Sequence, residues 1–447
     1  VASRAVSWYK RRAAAAAGRP CEEIGMNAHL AVVLAALIGR YVLELVSGRR
    51  NIRNISEDLP AEFEGFYDSA KYRTSQQYLR ENTRFGLVED TFDTVLSIGF
   101  ILLGGFNLVD TLARGAAAGE VLTGLVFAGF LILGAKVIGL PFDVYDTFVI
   151  EEKYGFNRTT PRTFVLDSVK ALILNAILGG ALFALVVWLF DAAGPRAWLY
   201  CWGAVVAFEL VIMFIAPYVI LPLFNKFEPL DEGPLKTAIE DYARSRGFAM
   251  KGVFTMDGSK RSSKTNAFFT GFGRSRRIVL FDTLIAKHTV EELVAIVAHE
   301  MGHYEKKHIP KAILRATAAS GITFYLLSLF IKNPGLFEAF RMEHISTYAS
   351  LFFFGFLYTP IAVALGIFER ALSRRAEYEA DAHAVATTGD PEALVLALKK
   401  LTVENLGNLT PAPLTVFLSY SHPPVLERIA AIGARAAESG AASTARA

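Results

Sequence analysis

The residues best suited to chemistry form the run His299-Glu300-Met301-Gly302-His303. It lies within EELVAIVAHEMGHYEKKH, where Leu293, Val294, Ile296 and Val297 lead as the apolar face of a helix. Histidines four apart stand one above the other on a helix face, so both imidazoles reach one ion. Glu300 follows the first histidine, off the ligand axis, where a carboxylate can take a proton from water at that ion. Two solvated histidines on an amphipathic helix are the bland alternative, and a third ligand decides against it.

A catalytic zinc ion has three protein ligands and an open position. The segment SRRAEYEADAHAVA offers Glu377, Glu379 and Asp381. Glu377 and Asp381 are four apart and share a helix face, so one can ligate while the other hydrogen-bonds a histidine ligand from behind. This favours Glu377 as ligand and Asp381 as its partner, with Glu379 pointing elsewhere. Spacing alone fits a solvated acidic face equally well; the placement of both segments on one side of a membrane tips the balance.

That placement follows from the rest of the chain. Of 447 residues, 53% are hydrophobic and only 20% charged, where about 25% charged is usual for soluble domains. A bilayer core takes about 20 apolar residues in a helix, and seven stretches approach this: 28–46, 96–113, 120–141, 166–190, 198–223, 312–331 and 347–369. The polar regions 224–310 and 370–447 are separated by two spans and therefore share a side. Arg49, Arg50, Arg53, Lys71, Arg73, Arg80, Arg84, Lys153, Arg158 and Arg162 crowd that side, against Arg114, Arg196, Lys332 and Arg341 opposite. The excess of positive charge assigns it to the cytoplasm. Arg4, Lys10, Arg11, Arg12 and Arg19 fit this badly, and a natural start at Met26 would remove the conflict. Among ionisable residues in or near spans (Arg40, Glu44, Asp110, Lys136 and Glu209), Glu209 is the most central and the best candidate for lining an aqueous cavity. GVFTM (252–256) and RIVLF (277–281) read as short strands flanking Asn266, with an edge open to an extended peptide.

HEMGH at 299–303, EYEAD at 377–381, FVIEEKYGFNRTT at 148–160, SSKTNAFFTGFG at 262–273 and SHPPVLERI at 421–429 together resemble the type I CAAX prenyl proteases, multi-pass membrane zinc metallopeptidases. The resemblance runs from about residue 28 nearly to the end. It implies one zinc ion on His299, His303 and Glu377, Glu300 as general base, and Asp381 behind the ligands. It further implies that His422 and Arg428 steady the tetrahedral intermediate and that Asn266 and Ala267 lie along the bound peptide. Phe268 stands where the family often has Tyr. The family's water-filled chamber, with its zinc site at the cytoplasmic cap, is implied as well.

The expected fold is an all-α integral membrane protein: seven transmembrane helices and a mainly α cytoplasmic zinc-peptidase domain with a small β element. The expected division is an N-terminal extension (1–27), five spans (28–223), a catalytic region (224–310), two spans (311–369) and a second catalytic region (370–447). The expected activity is zinc-dependent endoproteolysis of lipidated or membrane-bound peptides and proteins. The same residues would serve quality control of misfolded membrane proteins. A transport or scaffold protein with a structural metal is the reading from another class, and a base beside the ligands argues against it. The Ala- and Arg-rich ends suggest a GC-rich bacterial gene and hence an inner membrane. The formal charge of +3 supports no nucleic-acid partner. Cys21 and Cys201, the two cysteines, make no thiolate metal site, and oligomeric state is not readable.

Overall fold

The computed structural model describes residues 27–271 and 276–444. The basic segment before Met26, Cys21 and the proposed start lie outside the described residues. The first span is α1 (Ala28–Asn54), which starts where the Asn27 side chain accepts a hydrogen bond from the Leu30 N–H at 2.8 Å. Helix α2 (Ser69–Leu102) rises toward the expected second span, but the chain turns by 67° into α3 (Gly105–Ala116). Gly104 provides the turn at φ 73°, and at Gly105 the Phe100 ring occupies the place of a Cβ. Span 96–113 is thus a broken helix, because apolar length in sequence does not register a single left-handed residue.

Helices α4 (Glu120–Tyr145), α5 (Pro161–Ala192) and α6 (Ala197–Ile215) follow as apolar spans. After the polar insertion come α9 (His308–Phe330) and α10 (Thr347–Thr388), with α7 and α8 between, described below. Six helices are long and apolar enough to cross a membrane, and the bent pair raises the number to seven. Each span packs on the next in the chain, and α10 returns to α1, so the spans form a closed ring. Their most apolar windows are only 6–22% buried, so the ring is not a densely packed bundle. One end is plugged by Phe106, Phe127, Phe337, Phe340, Tyr348 and Phe353, with Phe340 and Phe353 stacked at 4.0 Å. Asp110 is buried in this plug and satisfied by the Tyr348 hydroxyl at 2.5 Å and Arg114 at 2.7 Å. Glu209 is exposed on α6.

At the other end sits a small sheet in the order β1-β2-β4-β3. Strands β2 (Gly252–Met256) and β4 (Arg277–Phe281) have the expected bounds and run parallel; β1 (Phe227–Pro229) and β3 (Ala267–Thr270) add antiparallel edges. Helices α7 (Pro234–Ser245) and α8 (Val290–Glu305) cover it, and Ile239, Ile278, Leu280, Val297 and Met301 fill the core between them. The last elements are α11 (Pro391–Glu404) and α12 (Val425–Thr444).

Candidate active site

Helix α8 carries the His-Glu run. Its start is fixed by a capping box in which the Thr289 side chain accepts from the Glu292 N–H and Glu292 accepts from the Thr289 N–H. Lys400 pairs with Glu292 at 2.6 Å and ties α8 to α11. Helix α10 is 42 residues long; its first half is the last span and its second half carries Glu377 and Asp381. A ligand on the extension of a span is positioned by the whole helix rather than by a loop.

The two helices bring the predicted ligands together. The Nε2 atoms of His299 and His303 lie 3.2 Å apart. Glu377 Oε2 is 3.4 Å from His299 Nε2, and Oε1 is 3.3 Å from His303 Nε2. A tetrahedral ion with bonds of about 2.0–2.1 Å has ligands about 3.3–3.4 Å apart. Glu377 is 4% exposed, yet its Oε2 accepts no hydrogen bond among the described residues. A carboxylate whose two oxygens each face an imidazole nitrogen, one of them without a hydrogen bond, fits a bound divalent cation.

Asp381 sits behind His299, its Oδ1 2.8 Å from Nδ1. Arg428, buried on α12, donates to both Asp381 oxygens at 2.8 and 2.6 Å and approaches Glu377 Oε2 at 3.6 Å. Burial raises the Asp381 carboxyl, but hydrogen bonds from Arg428 and His299 outweigh it and leave it below the usual range. For His299, burial favours the neutral ring, while Asp381 and Glu377 overcome this and raise it to about 9. A cation at Nε2 would take the proton's place. Glu300 is pushed up by burial, against the pull of His299 and His303, which moves it toward the range of a working base.

His422 and Arg428 reach the same point from the far end of the chain. His422 Nε2 lies 3.4 Å from Glu377 Oε1 with its side chain 62% exposed. Arg374, one turn before Glu377, donates to the Tyr420 carbonyl at 2.7 Å and the Val416 carbonyl at 3.1 Å, holding the His422 loop against α10. Asn266, Ala267, His299, Glu300, Glu377, His422 and Arg428 line one cavity of about 150 Å³, with Leu394, Leu398 and Leu401 as its apolar floor. Strand β3 pairs only with β4 among the described residues, leaving its other edge open.

Further contacts surround the site, and the first of them carries no signal in sequence. The Asn405 side chain accepts from the Thr265 N–H at 3.0 Å and donates to the Thr265 carbonyl at 3.2 Å, clamping the residue before Asn266. Lys264 pairs with Glu151 at 2.9 Å and lies over the Phe156 ring, joining the 148–160 segment to the approach to β3. Phe268 packs edge-on against Phe281 and brings no hydroxyl to the site. Glu379, off the ligand face, is engaged by His308 at 3.2 Å.

A ring of spans capped by a helix-borne His-Glu-His cluster is the architecture of a membrane metallopeptidase. Residues 49–226 match the family described as CAAX prenyl protease N-terminal, five membrane helices, and residues 229–436 match peptidase family M48. The chain is 34% identical to the CAAX prenyl protease 1 homolog of Oryza sativa subsp. japonica, over 90% of this chain and 97% of that protein. It is 32% identical to the CAAX prenyl protease 1 homolog of Homo sapiens, over 87% and 91% of the two chains. The crystal structure of S. mikatae Ste24p superposes with a TM-score of 0.86 at 31% identity, covering 91% of this chain and 99% of that one. The chain belongs to the M48 CAAX prenyl protease family. It is a multi-pass integral membrane metalloprotease, and the transport or scaffold reading is set aside.

Proposed function

We propose that this protein is a zinc endopeptidase acting at the cytoplasmic membrane face on lipidated or membrane-associated polypeptides. The observation that carries the reading is the convergence of His299, His303 and Glu377 beside Glu300 in a cavity next to the open edge of β3. Two imidazoles and a carboxylate at tetrahedral separations suit zinc. Bound there, zinc would supply Lewis acidity, polarising the scissile carbonyl and acidifying water.

This chain's own residues do the rest. The edge of β3, with Asn266 and Ala267, aligns an extended peptide by strand addition. Glu300 accepts the proton of the attacking water and returns it to the leaving amine. His422 and Arg428 face the developing oxyanion and hold its charge in a partly enclosed cavity. Asp381 fixes the His299 ring with its Nε2 lone pair toward the ion.

The charge asymmetry of the loops supports the cytoplasmic assignment. The relatives' names supply CAAX prenyl substrates as the first class to test. The closed, loosely packed ring supports an aqueous chamber, which would equally admit misfolded membrane segments in quality control. The relatives cited are eukaryotic and lend nothing to a bacterial inner membrane. The proposed division into spans 28–223 and 311–369 with catalytic regions 224–310 and 370–447 follows the same reading.

The test is Glu300→Gln in purified protein, with zinc content and cleavage of a prenylated CAAX peptide measured together. Zinc should remain stoichiometric while turnover falls about 10²–10⁴-fold. Turnover at the parental rate would overturn the assignment of the base.

A further inference from the structure

Histidine ligands are usually held by a hydrogen bond from the nitrogen that does not bind metal. For His299 that partner is Asp381. His303 has no carboxylate in this position; its Nδ1 lies 3.0 Å from Nδ1 of His308. His308 Nε2 lies 3.2 Å from Glu379 Oε2, and Arg375 donates to Glu379 Oε1 at 3.1 Å. We infer that His308 and Glu379 form a positioning relay that holds His303 as Asp381 holds His299. The inference rests on the reading of His303 as a metal ligand.

The hydrogens of this chain have a consistent arrangement. If His303 presents its Nε2 lone pair to an ion, its single N–H is at Nδ1 and is donated. His308 Nδ1 must then accept, which places the His308 hydrogen on Nε2, pointing at Glu379. The carboxylate ends the chain as an acceptor braced by Arg375. With the opposite tautomer of His308, two N–H groups would face each other at 3.0 Å and Glu379 would meet a lone pair.

The backbone is arranged for this contact. On a continuous helix, residue 308 would sit about 140° around the axis from residue 303. Instead α8 ends at Glu305, and Lys307 takes φ 57° before α9 begins at His308. A lysine in the left-handed region is uncommon, and here it folds the His308 ring back against His303. The result accounts for three acidic residues within five positions of α10: Glu377 ligates, Asp381 orients His299, and Glu379 orients His303 through His308. The relay faces a second cavity, of about 550 Å³, lined by Lys311, Arg315 and Arg370, on its own side of the ligand cluster.

The experiment measures zinc affinity of the purified full-length protein by competition with a chromogenic chelator, alongside thermal melting of the zinc-free forms. His308→Ala should weaken zinc about 10- to 100-fold. His308→Asn, whose amide oxygen can stand near the Nδ1 position and accept from His303, should recover most of that loss. Glu379→Ala should fall between them, and the zinc-free melting temperatures should match the parent. Parental zinc affinity in His308→Ala would overturn the relay, provided Glu377→Ala loses zinc. Equal losses in His308→Ala and His308→Asn, or zinc loss matched by a lower zinc-free melting temperature, would overturn it as well. Parental affinity in Glu377→Ala would instead overturn the ligand assignment on which the inference rests.

Discussion

Gly302 faces Ala380 so closely that a Cβ at residue 302 would lie 3.0 Å from the Ala380 Cα and 3.1 Å from its carbonyl oxygen. This is the point where α8 and α10 touch, between the two histidines on one side and Glu377 and Asp381 on the other. A methyl group there meets backbone, which cannot rotate away, so the helices must part. Gly302→Ala should therefore cost about 1–3 kcal/mol by overpacking and displace the ligands. Loss of zinc and of peptidase activity, with membrane insertion intact, is the expected result; normal zinc stoichiometry would count against it.

Removing the metal should destabilise the cap. Glu377 Oε2 is buried and accepts no hydrogen bond among the described residues, and an ion shared with His299 and His303 would add a tie between α8 and α10. Binding to the folded form alone contributes RT ln(1 + [L]/Kd), about 2.7 kcal/mol at a hundredfold excess over Kd. Chelation should lower the melting temperature of the parent and added zinc should restore it. Glu377→Ala should show neither change. A parent melt indifferent to chelator would contradict the site.

The Asn405 clamp on Thr265 predicts a binding defect separate from metal loss. Asn405→Ala leaves both Thr265 backbone groups without their partner, a loss of about 1–3 kcal/mol where they stay buried. The chain entering β3 then loosens at Asn266. Peptide KM should rise while zinc affinity stays at the parental value; steady-state kinetics with zinc analysis separates the two.

Glu404 joins Lys71 at 3.1 Å and Lys287 at 2.7 Å, linking α2 to the turn before α8. Burial raises its carboxyl, but hydrogen bonds from Lys287 and Lys71 prevail and depress it below the ordinary value. A folded pKa below the unfolded one gives stability that is present above the unfolded value. That stability is lost as pH falls through the folded value. Glu404→Gln should thus lower stability by about 1 kcal/mol near neutrality and leave the difference from the parent vanishing in acid. Melts from neutrality down to about pH 3, below the unfolded glutamate value of about 4.3, would reveal it.

Much of this site was legible because its logic is local. His299 and His303 share a face through helical spacing, as do Glu377 and Asp381, and the structure joins the two pairs as the topology requires. The strands 252–256 and 277–281 were readable from β-branched and aromatic runs. The 67° bend after Leu102 was not, since one glycine dihedral decides it inside an unbroken apolar stretch. Glu379 was read as pointing away from the ligand face, and the partner it meets there was not legible for a related reason. Its partner His308 approaches only through a left-handed Lys307, and helical geometry applied across that residue points the ring the wrong way. Asn405 and Arg374 act on backbone atoms of distant loops, a relation that no spacing rule encodes.

The placement of Arg428 has a consequence for biosynthesis. Its guanidinium pairs with Asp381 and approaches Glu377, yet it follows Asp381 by 47 residues in the chain. A nascent copy whose ribosome has passed Glu377 carries His299, His303 and Glu377 but lacks the guanidinium that pairs with Asp381. That cluster of charges is therefore complete only once α12 has docked against α10.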